Sequence, residues 1–310
     1  MTSAACAARI DKLNTTDSVS ATVNFATGRA TVTAPVSIRV ERPLATTHDN
    51  GAAWTPGLLD AGLADVPDAL AAAPASGRLL ALLTNGQAEL SGPGGTAWAT
   101  LATRRSVAAS PAARRCGLSG LTAAAFSSSG VPLLAASCTR PGTAGVFAYA
   151  GGTWRPAGPA LPAAYAHSDV TVLRLTTTGG TTTALLAAGA GAAARLLAAW
   201  STDGGAHWTV SRSLPLHGAA LRSASPGPGG SVAVVLTGNQ GQTIATAAGP
   251  WRRLPALPPA TATLAPGAGG GWDALTVHRT KLAVWRLAPG SGAWAATQTI
   301  NVPVQFASSG

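Results

Sequence analysis

Charge is scarce in this chain of 310 residues: charged side chains make up 10% of it, against roughly 25% in ordinary globular proteins. Acidic residues number eleven, and only two are glutamates, Glu41 and Glu89. Composition this poor in charge excludes charge-driven disorder and long coiled coils. Long apolar runs are missing too. The longest stretch, residues 183–200, is broken at Gly189 and Gly191 and carries Arg195, and eighteen residues are barely enough to span a bilayer. It reads as two short buried strands around a turn, so no transmembrane segment is expected. The first twenty residues contain Arg9, Asp11, Lys12 and Asp17 without a continuous apolar core, so no signal peptide is expected there either. The five histidines (His48, His167, His207, His217, His278) never fall in H-x-x-x-H or H-E-x-x-H spacing. Gly269–Gly271 is followed by Trp272 rather than by the Lys-Ser/Thr of a phosphate loop, and Ser119 misses the frame of a nucleophile elbow. Of 21 cations 19 are arginines, scattered apart from three doublets at 104–105, 114–115 and 252–253. The net charge of +10 therefore reads as solubility charge and no nucleic-acid partner is expected, while attraction to an anionic wall or lipid surface stays open.

Glycine (37) and proline (22) are plentiful, as in proteins built from short strands and tight turns. Tryptophan supplies the period. Trp54, Trp98, Trp154, Trp208, Trp251 and Trp294 are separated by 44, 56, 54, 43 and 43 residues, 48 on average. Each follows a Gly-containing turn, and ahead of the turns lie short apolar strands at 145–149, 195–200, 242–246 and 282–285. Further strands are read at 79–83, 131–136 and 232–236, with Thr84-Asn85-Gly86-Gln87 as the clearest hairpin. Four short strands in each unit of about 48 residues is the arithmetic of a β-propeller blade. The fold expected is an all-β propeller of six blades, or seven. Helix competes with strand chiefly in Ala-rich Asp65–Ala73.

The turns carry a motif. Ser201-Thr-Asp203-Gly-Gly205-Ala-His-Trp208 and Thr47-His-Asp49-Asn-Gly51-Ala-Ala-Trp54 both match S/T-x-D-x-G-x-x-W, and residues 91–98 keep the frame with Pro93 in place of Asp. This resembles the Asp-box (BNR repeat) of sialidase-like propellers. The resemblance implies that the box joins the third and fourth strands of a blade, away from the face that binds ligands. Thr47, Asp49, Gly51, Trp54, Ser201, Asp203, Gly205 and Trp208 are thus expected to be structural: carboxylate for turn N–H groups, glycine for positive φ, indole for packing.

Residues 1–35 follow another pattern. Met1-Thr-Ser3-Ala-Ala-Cys6, then an amphipathic 3–14, then Val23-Asn24-Phe25-Ala26-Thr27 running into Val32 resemble the heavy-metal-associated domain of copper P-type ATPases and copper chaperones. The resemblance implies Cu(I), or another soft metal, held by two thiolates. Ser3 stands where the first cysteine belongs, so Cys6 alone is a weak metal candidate and no cofactor is required. The alternating stretches 21–25 and 29–34, with 36–41, follow the strand order of a blade. The chain is accordingly divided at 1–35 and 36–310, with the hairpin a candidate part of blade one and 3–14 the single helix of consequence.

Cys116 and Cys138 fall on two apolar runs, 116–126 and 131–138, placed symmetrically about the turn 127–130. They are a candidate cross-strand disulfide, which would indicate an oxidising compartment; two buried thiols are the alternative. Sialidase chemistry, as the resemblance implies it, needs an arginine triad, a Tyr–Glu nucleophile pair and an Asp acid/base. Only Tyr149 and Tyr165 and the two glutamates are present, no R-I-P segment precedes the first box, and Val40-Glu-Arg-Pro43 is a poor imitation. No catalytic residue is assigned. The expected function is a monomeric, non-catalytic binding or scaffold propeller, extracytoplasmic, holding a protein or glycan ligand at its top face. Copper binding through the N-terminal segment and a degenerate sialidase-like hydrolase are the alternatives.

Overall fold

The computed structural model describes residues 67–301, apart from 94–96, 246–248, 268–269 and 279–280, and the backbone of 20–24, 29–33, 45–46 and 55–56. The helix 3–14, Ser3, Cys6, the strand 36–41 and the first box (Thr47, Asp49, Gly51, Trp54) lie outside the described residues. Strands β1 (Ser20–Asn24) and β2 (Arg29–Thr33) form an antiparallel hairpin, and β3 (Ala45–Thr46) pairs with β4 (Thr55–Pro56).

Five antiparallel meanders follow. Sheet 1 is β5 (Pro67–Ala72), β6 (Leu79–Leu83), β7 (Gln87–Ser91) and β8 (Trp98–Thr103). Helices α1 (Arg104–Ala108) and α2 (Pro111–Cys116) lead into sheet 2: β9 (Leu118–Phe126), β10 (Pro132–Cys138), β11 (Gly145–Ala150) and β12 (Thr153–Pro156). Sheet 3 is β13 (Val170–Thr178), β14 (Thr181–Ala188) and β15 (Arg195–Ser201), with an outer strand in two pieces, β16 (Thr209–Val210) and β17 (Leu214–Pro215). Strand β10 also pairs with β13, at Ser137–Thr171 and Cys138–Val170, which bridges sheets 2 and 3. Sheet 4 is β18 (Leu221–Pro226), β19 (Val232–Leu236), β20 (Gln240–Ile244) and β21 (Arg252–Arg253). Sheet 5 is β22 (Thr261–Pro266), β23 (Trp272–His278), β24 (Lys281–Leu287) and β25 (Ala295–Asn301).

The middle strands read as unbroken apolar runs because both of their faces are buried. Period-two alternation sends successive residues to opposite neighbours. Leu134 and Ala136 join Leu80, Leu82 and Phe147 in the core between sheets 1 and 2, whereas Leu133 and Ala135 join Leu186 and Leu197 in the core between sheets 2 and 3. Leu185, Leu196, Val232 and Val234 fill the gap between sheets 3 and 4, and Ala233, Val235, Leu264 and Ala274 that between sheets 4 and 5. The core is therefore a series of inter-sheet layers.

Each of the five inner strands also carries an extra residue against its partner at one shared place, Asp68, Thr122, Leu173, Arg222 and Ala262 standing unpaired at register shifts, and β9 has a second at Ser119. Such bulges increase local twist, and here they recur at the same place in every sheet. Tryptophan recurs as well. Trp98, Trp154, Trp208, Trp251 and Trp294 all stand within one residue of the start of a fourth strand.

Within the Ala-rich stretch 65–73 strand prevails over helix, as the all-β reading requires: β5 forms because its apolar side chains pack on the layer beside β6. Residues 104–116, by contrast, form two short helices, so Cys116 ends α2 instead of opening a strand. Thr103 and Ser106 make a capping box for α1; Ser110 caps α2, Pro111 occupies its first turn, and Gly117 stops it with φ 66°.

Candidate functional site

A meander has two ends. The turns from first to second strand and from third to fourth strand share one end, here called the box end; the second-to-third turns and the links between sheets share the other, here called the linker end. Both ends carry features with side-chain detail.

At the box end, Ser201 closes β15 and its buried hydroxyl accepts from the Gly205 N–H (2.8 Å) while donating to Asp203 Oδ1 (2.8 Å). Asp203 Oδ1 also accepts from the His207 N–H (2.9 Å), and Oδ2 faces His207 Nδ1 at 2.6 Å. The His207 N–H, then the His207 ring, then the Ser201 hydroxyl hold the Asp203 carboxyl well below the usual carboxylate range. Gly204 and Gly205 take φ of 73° and 98°, and a Cβ on Gly205 would sit 2.9 Å from the Ala157 carbonyl oxygen. That oxygen belongs to sheet 2. The Trp208 indole N–H donates to it as well (2.9 Å), besides the Gly205 carbonyl (3.1 Å).

The box thus reaches beyond its own turn and clamps onto the preceding sheet. Trp251 and Trp294 do the same, donating to the Arg212 (3.0 Å) and Pro255 (3.5 Å) carbonyls. All three acceptors lie three or four residues after the preceding repeat tryptophan. Trp154, whose preceding link carries α1 and α2, is buried against Tyr149 instead, with ring centroids 5.0 Å apart. The Trp98 indole nitrogen is buried without a partner among the described residues.

An open depression of about 330 Å³ beside the box is lined by Thr181, Trp200, Thr202, Asp203, His207 and Trp208. The Asp203 side chain is 41% exposed, and its oxygens are taken up by the turn. Asp203→Ala should therefore lower the melting temperature at neutral pH and leave ligand affinity unchanged. Because the folded carboxyl titrates below its unfolded value of about 3.9, its stabilisation is complete above that pH and fades as pH falls below it. Melting curves of wild type and Asp203→Ala should converge from about pH 4 downward; a gap that stays constant would assign the loss to something other than the charge.

At the linker end stand α1, α2 and the disulfide. Cys116 and Cys138 are joined, with Cα atoms 5.1 Å apart. Bulges displace β9 against β10, so Cys138 faces Leu118 in the ladder, and the helix-ending Gly117 carries Cys116 round to meet it. The Arg140 N–H donates to the Cys116 carbonyl (3.1 Å) and the Thr139 N–H to that of Gly117 (2.9 Å), which fastens the β10–β11 turn to α2. A second depression, of about 280 Å³, is lined here by Arg115, Cys116, Gly142, Pro156 and Gly158.

Among the described residues Glu89 is not brought together with either tyrosine, and Glu41 lies outside them. Glu89 is buried in sheet 1 and accepts from Thr100 Oγ1 (2.9 Å) and Gln87 Nε2, while Tyr149 lies in sheet 2 against Trp154. Asp273, also buried, forms a two-point pair with Arg286 across β23 and β24 (2.8 and 3.0 Å), and that partner raises the Arg286 pKa. Among the described residues no three His, Cys, Asp or Glu side chains cluster as a metal site would require, and no helix is long and apolar enough to cross a membrane.

No protein-family model and no curated protein matches this sequence. Solved structures share its fold. The β-propeller domain of Cps50 (Swd1) from Myceliophteria thermophila matches at 12% identity with a TM-score of 0.55, covering 96% of this chain and 90% of that one. YCF48 bound to D1 peptide matches at 11% identity with a TM-score of 0.50, covering 91% and 87%. At such identities the likeness shows the fold, which is a β-propeller.

Proposed function

We propose that this chain is a non-catalytic, protein-binding propeller that works in an oxidising, extracytoplasmic compartment, with its ligand at the linker end. One observation carries the reading: both helices and the disulfide found among the described residues lie there, whereas the polar atoms of the box are used up within their own turn and against sheet 2. The two helices, the Cys116–Cys138 bridge and the Arg115 depression all belong to the links around sheet 2. Surface loops on a rigid scaffold are where binding residues concentrate. A propeller of this fold, YCF48, binds a peptide, which supports a protein ligand over a glycan. The Ser201–Trp208 box is assigned a structural part, because its polar atoms are used within the turn and against sheet 2. The disulfide favours the oxidising compartment.

The test uses the full chain, biotinylated and immobilised without reductant. A protein retained from the native host and displaced by excess free chain is expected, with no turnover of a fluorogenic sialoside. Hydrolysis that rises with protein concentration would overturn the reading.

A further inference from the structure

Glu89 and Asp169 are successive acidic residues, and the 79 residues between them hold six arginines: Arg104, Arg105, Arg114, Arg115, Arg140 and Arg155. A quarter of the chain thus carries six of its ten net positive charges. All six side chains are exposed, and none has a carboxylate partner among the described residues. The fold draws the first five together, since α1 and α2 carry four of them and the Cys116–Cys138 bridge with the Arg140-to-Cys116 hydrogen bond sets Arg140 beside the end of α2.

Local structure accounts for part of this only. Arg114 and Arg115 lie in the last turn of α2, where cations are favoured, and Arg114 donates to the Ala109 carbonyl (2.5 Å). Arg104 opens α1, the end at which a cation gains nothing from the helix dipole, and no acidic residue of the first turn offsets it; Arg105 follows it in a helix so short that its position also counts in the last turn.

We propose that α1, α2 and the β10–β11 turn form a docking surface for an acidic segment of a partner protein, with Arg104, Arg105, Arg115 and Arg140 binding its carboxylates. This rests on the protein-binding reading and gives it a site and a chemistry. Guanidinium groups match carboxylates in two-point geometry, and the depression beside Arg115 has room for a side chain. Other anions fit less well. Trp154 is buried and Tyr149 half-buried, so the face lacks the exposed rings on which single-stranded bases stack. The one large exposed apolar side chain among the described residues is Val277, in sheet 5, so nothing here is built to enter a lipid surface.

The experiment measures anisotropy of a fluorescein-labelled ten-residue peptide of alternating Glu and Gly, against the same peptide with Gln for Glu, on the full chain. The Glu peptide should bind, with affinity falling as salt rises, and the Gln peptide should not. Arg104→Glu/Arg105→Glu and Arg115→Glu/Arg140→Glu should each weaken binding at least tenfold, with Arg115→Gln intermediate. Arg252→Glu/Arg253→Glu, the same charge change on the exposed β21, should stay within twofold of wild type. Equal loss in the β21 variant would reduce the effect to net charge and overturn the proposal. So would absence of binding, or tighter arginine-dependent binding of duplex DNA or of phosphatidylglycerol vesicles. A partner captured equally well by the arginine variants would remove this surface while leaving the protein-binding reading in place.

Discussion

Replacing both bridging cysteines, Cys116→Ala/Cys138→Ala, should cost about 3 kcal/mol of stability, because the bridge closes a 22-residue separation in the unfolded chain. Alanine is the right probe. Both sulfurs are buried, at 2% and 6% residue exposure, so serine would add the cost of burying a hydroxyl. Urea unfolding should show a lower midpoint with little change in slope, and dithiothreitol should bring wild type to the same midpoint. Loss should also be uneven. Hydrogen exchange should accelerate first in 104–117 and 139–144, which the bridge fastens together, before the inter-sheet layers respond. A double mutant with wild-type stability and unchanged exchange would mean that α1 and α2 are held by Val107, Ala112 and Ala113 in the core alone.

What the sequence discloses about this fold follows from which interactions are local. Leu79–Leu83 and Val232–Leu236 are legible as strands to the residue, since a run buried on both faces has no polar interruption. The tryptophan spacing locates five fourth strands because each indole stands at a fixed offset from its turn. The helices at 104–116 had signals of their own, Thr103 three residues before Ser106 and Ser110-Pro111 ending at Gly117. An apolar run continuing through Cys116 outweighed them. The inner-strand bulges are silent in the sequence: Asp68, Thr122, Leu173, Arg222 and Ala262 share no residue type, because an unpaired position near an edge asks little of its side chain. The box motif announces its turn. Its hold on the neighbouring sheet is invisible, as Ala157 is a backbone acceptor 51 residues away that any residue could supply.

That hold gives the Trp208 side chain two separable contributions to stability. Trp208 packs on the layer between sheets 2 and 3, beside Leu197, Val146 and Ala157, so Trp208→Ala should cost about 3 kcal/mol through lost burial and the gap left behind. Trp208→Phe separates the two contributions. It keeps a ring in the layer and removes only the N–H bonds to Ala157 and Gly205, for about 1 kcal/mol. Equilibrium unfolding in urea measures both. The same exchange at Trp251 should cost less, since its bond to the Arg212 carbonyl is solvent-exposed, and at Trp294 less as well, its bond being 3.5 Å long. Equal losses at the three sites would mean that the rings matter and the repeated N–H bond does not. If the order holds, Trp208, Trp251 and Trp294 are graded clamps, each fastening the outer strand of one blade to the end of the blade before it.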